Sequence, residues 1–132
     1  MVNLSTQLTF CAIGNNLFFG EIPLWVGNLV NLTTLSMHGN KFTGTIPNNI
    51  GNLKKLQRLY LNDNKLSGRL PISLGNLSLL DELYLGNNRL QGTIPSSIEK
   101  LPKFAIVRSF SKQSQWHHSK ASLCNFHAVN FT

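Results

Sequence analysis

The chain has 132 residues, 42% of them hydrophobic, which excludes a disordered polymer and leaves room for one modest domain. Only 13% are charged, so Asn, Ser, Thr and Gly must supply the polar surface. The net charge of +7 divides into +4 through Lys103 (nine basic, five acidic) and +3 beyond it from Arg108, Lys112 and Lys120, with no basic block of the kind a nucleic-acid arm shows.

Met1 opens almost directly into patterned sequence, without the basic and then apolar stretch of a secretory leader. The pattern is a repeat of 24 residues. The first block, about 5–28, is degenerate. Leu8, Cys11 and Ile13 take its strand core positions, Ser5 stands where later blocks have Leu, and Asn16, Phe18, Gly20, Ile22, Pro23, Val26 and Gly27 follow. Three regular blocks succeed it at 29–52, 53–76 and 77–100, the middle one reading LKKLQRLYLNDNKLSGRLPISLGN.

Each block has two parts. The first alternates Leu35 with Met37, Leu59 with Leu61 and Leu83 with Leu85, and apolar residues two apart share one face of a strand. Four such strands, one per block, are predicted to pair in parallel, and a slip by one residue would turn every Leu outward. The second part runs Asn-x-Leu/Phe-x-Gly-x-Ile/Leu-Pro. Asn16, Asn40, Asn64 and Asn88 share one phase and are predicted to form a ladder that satisfies backbone polar groups where the chain leaves the strand. Each Pro holds the residue before it extended, which predicts inward-pointing Ile22, Ile46, Leu70 and Ile94. Phe18, Phe42, Leu66 and Leu90 form a second apolar column, and Val26, Ile50, Leu74 and Ile98 are assigned to short helical turns on the convex side.

Residues 1–103 thus form about four repeats, and 104–132 a fading repeat followed by an irregular or disordered tail. Phe104 to Val107 keep the Leu phases and are predicted to form a fifth strand; residues 109–132 have neither a helical nor a strand period. Four repeats are near the minimum for stability, and neither end carries a polar cap, so the N-terminal face is expected to be open and the chain marginal or prone to associate. Cys11 shares the phase of Leu35, Leu59 and Leu83 and is predicted to be buried rather than bridged to Cys124, so cysteine usage leaves the redox compartment open.

The pattern LxxLxxLxLxxNxLxGxIPxxLGN over about residues 5–107 resembles the plant-type leucine-rich repeat of receptor-like kinases and receptor-like proteins, the Gly-x-Ile-Pro segment being distinctive. The resemblance implies an α/β repeat solenoid, a right-handed superhelix with a parallel β-sheet on its concave face. It implies a non-catalytic module that takes a protein or peptide ligand, with a co-receptor as a further partner, in cell-surface signalling or defence. The parent protein would be extracellular and anchored in the plasma membrane. This chain departs from the family in lacking a signal peptide, the paired-cysteine cap, any run of about 18 apolar residues for a membrane span, and the phosphate loop, HRD and DFG segments of a kinase. An alternative is a soluble inhibitor of a cell-wall hydrolase, similar to polygalacturonase-inhibiting proteins, although those carry more repeats and two caps.

The outward strand positions form columns: Thr34, Arg58 and Glu82; Ser36, Tyr60 and Tyr84; His38 and Asn62. Tyr and Arg dominate binding hot spots, so these eight residues are the candidate ligand-binding set. A purely structural reading has the tyrosines stack and Arg58 pair with Glu82. Lys41, Lys65 and Arg89 form a basic row that reads as a solvated edge, and no nucleic-acid partner is expected. His117, His118, Cys124 and His127 lack metal-ligand spacing, so neither a metal nor another cofactor is expected. Of the four Asn-x-Ser/Thr sequons, Asn31 and Asn76 are the candidate glycosylation acceptors.

Overall fold

The computed structural model describes residues 4–101, 106–108 and 115–117. A single helical turn, Leu4–Gln7, leads into strand β1, Phe10–Ala12. One strand then recurs per coil: β3 (Thr34–Ser36), β5 (Arg58–Tyr60) and β7 (Glu82–Tyr84), joined by β9 (Ile106–Arg108). They form one parallel sheet in the order β1-β3-β5-β7-β9. The register follows the sequence period, with Cys11 opposite Leu35, Leu35 opposite Leu59 and Leu59 opposite Leu83. The predicted fifth strand is seen at Ile106–Arg108, where Ile106 pairs with Glu82, and Phe104 lies outside the described residues.

The stacked coils share one apolar interior. Leu32, Leu56 and Leu80 are wholly buried, as are Leu59 and Leu83 beneath the sheet. The Ile/Leu-Pro segments hold Ile22, Ile46, Leu70 and Ile94 inside it, with each Pro extended, as at Pro47 (φ −71, ψ 146). The chain then tightens into 3₁₀ turns at Leu24–Asn28, Asn48–Asn52, Ile72–Asn76 and Ser96–Lys100, which bury Val26, Ile50, Leu74 and Ile98. The first coil departs from the predicted core. Phe18 stacks on Phe42 at 6.5 Å yet remains 48% exposed, and Cys11 is only partly buried, because no described residue packs on that side of the coil.

A second set of strands runs along the Asn-x-Leu-x-Gly segments: β2 (Phe19–Glu21), β4 (Lys41–Thr43), β6 (Ser67–Gly68) and β8 (Arg89–Thr93). β2 pairs with β4 and β6 with β8, all in parallel. Strand β10, Gln115–His117, extends this side by pairing with β8, within a stretch whose lack of periodicity predicts no regular structure. Backbone pairing needs only an extended chain at the right height, so no side-chain pattern announces it. The rest of 109–132 lies outside the described residues.

Asn40, Asn64 and Asn88 tie each coil to the one before. Asn64 Nδ2 donates to the carbonyls of Leu61 and Asn62 in its own coil, at 3.2 Å each, and to that of Met37 in the preceding one at 3.0 Å. Its Oδ1 accepts the Phe42 N–H at 3.0 Å. Asn16 reaches only the carbonyls of Ile13 and Gly14. The residue before the ladder position is left-handed in every coil: Asn15 (φ 55), Gly39 (φ 63), Asp63 (φ 56) and Asn87 (φ 51). Those are the residue types that enter this region most readily. A second glycine phase sets the coil spacing on the far side, since a Cβ on Gly51 would stand 2.5 Å from Ser73 Cβ.

Candidate ligand-binding surface

Strand alternation places Leu35, Leu59 and Leu83 in the core and turns their neighbours to the open face of the main sheet. The register sets Thr34, Arg58 and Glu82 in one row and Ser36, Tyr60 and Tyr84 in the next. Tyr60 and Tyr84 meet edge to face, with ring centroids 4.9 Å apart. His38 approaches Tyr60 from the other side at 6.5 Å and 81°. Its imidazole lies over Gly14, where a Cβ would come within 2.3 Å of the ring.

Glu82 joins the two rows. One carboxylate oxygen accepts the Tyr60 hydroxyl proton, and the other lies 3.7 Å from Arg58 Nε. Burial, followed by the hydrogen bond to Glu82 and its negative charge, pushes the Tyr60 phenol up to about 12. The Arg58 side chain stays 52% exposed, so its ion pair contributes little stability and leaves donors free for another acceptor. The structure therefore contains both the tyrosine contact and the Arg–Glu pair of the structural reading, with the guanidinium still open to solvent.

Two members of the predicted set lie lower than the rest. Thr34 and Ser36 are each only 5% exposed and form the floor of the surface. Their side chains are short, and the longer Arg58 and Tyr60 stand beside them in the register. Ser36 Oγ lies 2.8 Å from His38 Nδ1, which orients the imidazole. Asn62 is half-buried and hydrogen-bonds Asp63, which in turn accepts from Asn87 Nδ2 at 2.6 Å. Asp63 and Asn87 thus border the patch, although the column spacing did not single them out.

Lys41, Lys65 and Arg89 are exposed on the second strand set. Asn76 is exposed, whereas the Asn31 carboxamide is engaged: it donates to the Thr6 carbonyl and accepts from Lys55 Nζ, both at 2.6 Å. Among the described residues no three His, Cys, Asp or Glu side chains group as a metal site; His118, Cys124 and His127 lie outside them. No described helix is long and apolar enough to cross a membrane. On the opposite side a shallow groove of about 790 Å³ runs past Ile46, Arg69, Leu70 and Ile72, lined by the Ile/Leu-Pro segments.

No curated protein matches the chain in sequence. Solved structures do. The chain superposes on PEPR1 in the PEPR1–AtPEP1 crystal structure with TM-score 0.76 and 34% identity, over 86% of this chain and 15% of that one. The Arabidopsis receptor kinase HAESA, solved with the peptide hormone IDA and the co-receptor SERK1, gives 0.78 and 37% over 84% and 18%. The ectodomain of the receptor kinase SOBIR1 from Arabidopsis thaliana gives 0.72 and 31% over 84% and 60%. The chain thus spans less than two thirds of each. Residues 30–90 match the leucine-rich-repeat family model. The parallel register at the repeat period and that match agree: residues 30–90 belong to the leucine-rich-repeat family, and the coils are similar to those of plant receptor ectodomains.

Proposed function

We propose that the chain is a non-catalytic binding module of a plant receptor-like kinase or receptor-like protein, and that it takes a protein or peptide ligand on the open face of its main sheet. The observation that carries this reading is the patch of His38, Arg58, Tyr60, Glu82 and Tyr84. Aromatic faces and an unsaturated guanidinium lie there on a rigid sheet, the residue types and setting of a hot spot. Thr34 and Ser36 support that patch from below, and Asn62 closes one side. PEPR1, which shares the fold, was solved with AtPEP1, and HAESA with the peptide hormone IDA and the co-receptor SERK1. In this reading the parent protein acts at the cell surface in signalling or defence. Exposed Asn76 is then the better glycan acceptor, and Asn31 the poorer one because its carboxamide is already bonded.

The test is selection of a displayed random-peptide library on the immobilised chain. Selected peptides should lose binding at least tenfold, about 1.4 kcal/mol, on Tyr84→Ala or Arg58→Ala, and keep it on Lys54→Ala, which is outside the patch. Peptides that bind all three variants equally refute the assignment.

A further inference from the structure

Spacing alone makes Lys41, Lys65 and Arg89 a solvated edge; the stacked coils give that edge a shape and a charge of its own. The three are exposed on β4, β6 and β8 of the second strand set. Arg69 joins them from just beyond β6. A Cβ on Gly92 of β8 would stand 2.9 Å from its Cγ and 3.3 Å from its Nε, so the Arg69 side chain lies across the next coil. None of the four has an ion pair or hydrogen-bond partner among the described residues. Residues 4–101 hold eight Lys or Arg and five Asp or Glu, and no acid stands on β4, β6 or β8. This face therefore carries +4, and the remainder of those coils −1. Glu21 borders the face, over Gly44, and the Asp63 carboxylate is already bonded to Asn62 and Asn87. Charge of one sign gathered on one face is the footprint of a polyanion.

The strand register decides what else stands there. The Lys65 N–H donates to the Phe42 carbonyl and the Arg89 N–H to that of Leu66, which sets Lys65 beside Thr43 and Arg89 beside Ser67. The cations thus step one strand across and two residues along, about 8 Å per step at Cα, each step with a hydroxyl next to it. An extended peptide adds to a sheet through main-chain bonds, but the N–H groups of Lys41, Lys65, Ser67 and Arg89 are spent between coils. A nucleic-acid strand needs aromatic faces for its bases, and no outward residue of β4, β6 or β8 is aromatic. What remains is a line of ammonium and guanidinium donors with hydroxyls between them. Its complement is a linear polymer whose units each carry a carboxylate and ring hydroxyls.

We propose that the side face of the second to fourth coils binds an acidic polysaccharide, a linear polyuronate laid across the coils. Its carboxylates sit on Lys41, Lys65, Arg89 and Arg69, and its ring hydroxyls on Thr43 and Ser67. All of these groups are solvated, so each contact is weak and screened by salt, and binding grows with the number of sugar units engaged. The surface belongs to the second strand set and shares no residue with the patch on the main sheet, so either can fail without the other.

The test titrates the full chain with a size-defined oligogalacturonate in a calorimeter at low salt. Binding should be seen, and should fade as salt is added. Lys65→Gln combined with Arg89→Gln should weaken it roughly tenfold, the sum of two exposed ion pairs. Lys54→Gln combined with Lys55→Gln removes the same charge from the turn before β5 and should change it less than about twofold. Both double variants should keep the far-UV circular dichroism of the parent. Polyacrylate, which has the carboxylates without ring hydroxyls, and single-stranded DNA should bind more weakly than the oligogalacturonate. Thr43→Ala combined with Ser67→Ala should narrow the gap to polyacrylate. No binding of the oligogalacturonate, equal losses from the two charge pairs, or tighter binding of polyacrylate or DNA overturns the proposal.

Discussion

Replacing Asn64 by Ala removes a side chain that serves two coils at once. Its amide donates to Met37, Leu61 and Asn62, and its oxygen accepts from Phe42. Two amide protons shared by three carbonyls, plus the accepted bond, amount to three hydrogen bonds at about 1 kcal/mol each. The Phe42 N–H is buried and would be left without its partner, so the expected loss is about 3–4 kcal/mol. That is a large part of the roughly 5–15 kcal/mol that a domain has to lose. Asn16→Ala is the control. Asn16 is exposed and reaches only the Ile13 and Gly14 carbonyls, at 3.1 and 2.9 Å, which water can satisfy instead. Its loss should stay below about 1 kcal/mol. Urea unfolding followed by far-UV circular dichroism measures both. Equal losses at the two positions would refute the argument that the inter-coil bonds carry the ladder's contribution.

Leu59→Ala empties a wholly buried position at the centre of the main sheet, and should lower stability by about 2–5 kcal/mol in the same urea assay. Gly51→Ala forces a methyl to 2.5 Å from Ser73 Cβ and 2.8 Å from its carbonyl oxygen; thermal melting should show a loss of about 1–3 kcal/mol. Gly20→Ala has free space but a φ of +93, so its cost should be backbone strain alone, about 1–2 kcal/mol. Burial and Glu82 push the Tyr60 phenol up to about 12, from the ordinary tyrosine value of 10.0. The folded value is the raised one, so its contribution to stability is full below about pH 10 and lost between there and about 12. Ultraviolet titration should show this late phenol, and Glu82→Gln should bring it down, since Glu82 supplies the hydrogen bond and the charge that follow burial as causes. A phenol that does not move on Glu82→Gln would contradict the geometry.

The repeat period was legible because each coil solves the same packing problem with the same residues. Leu at one phase, Ile/Leu-Pro at another and Val/Ile/Leu at a third had only one common interior to fill, and Leu35, Leu59, Leu83, Ile50 and Leu74 fill it. The left-handed positions were also written in the chain, as Asn15, Gly39, Asp63 and Asn87, the residue types that enter that region most readily. The second strand set left no such trace. Its pairing joins main-chain groups, and β10 forms where the side-chain pattern has already disappeared.

The binding patch divides along the same line. Sequence alone placed Arg58, Tyr60, Glu82 and Tyr84 on one face, because strand alternation is a local rule. How much of each side chain remains in water depends on what stands beside it across the sheet. Thr34 and Ser36 sink between longer neighbours, and Glu82 spans the two rows to hold both Tyr60 and Arg58. Likewise only the assembled coils reveal that Leu17, Phe19 and Trp25 of the first coil lie exposed. The chain's own order determines which face a residue is on; its exposure is decided by residues 22 to 27 positions away, and those become neighbours only when one coil lies on the next.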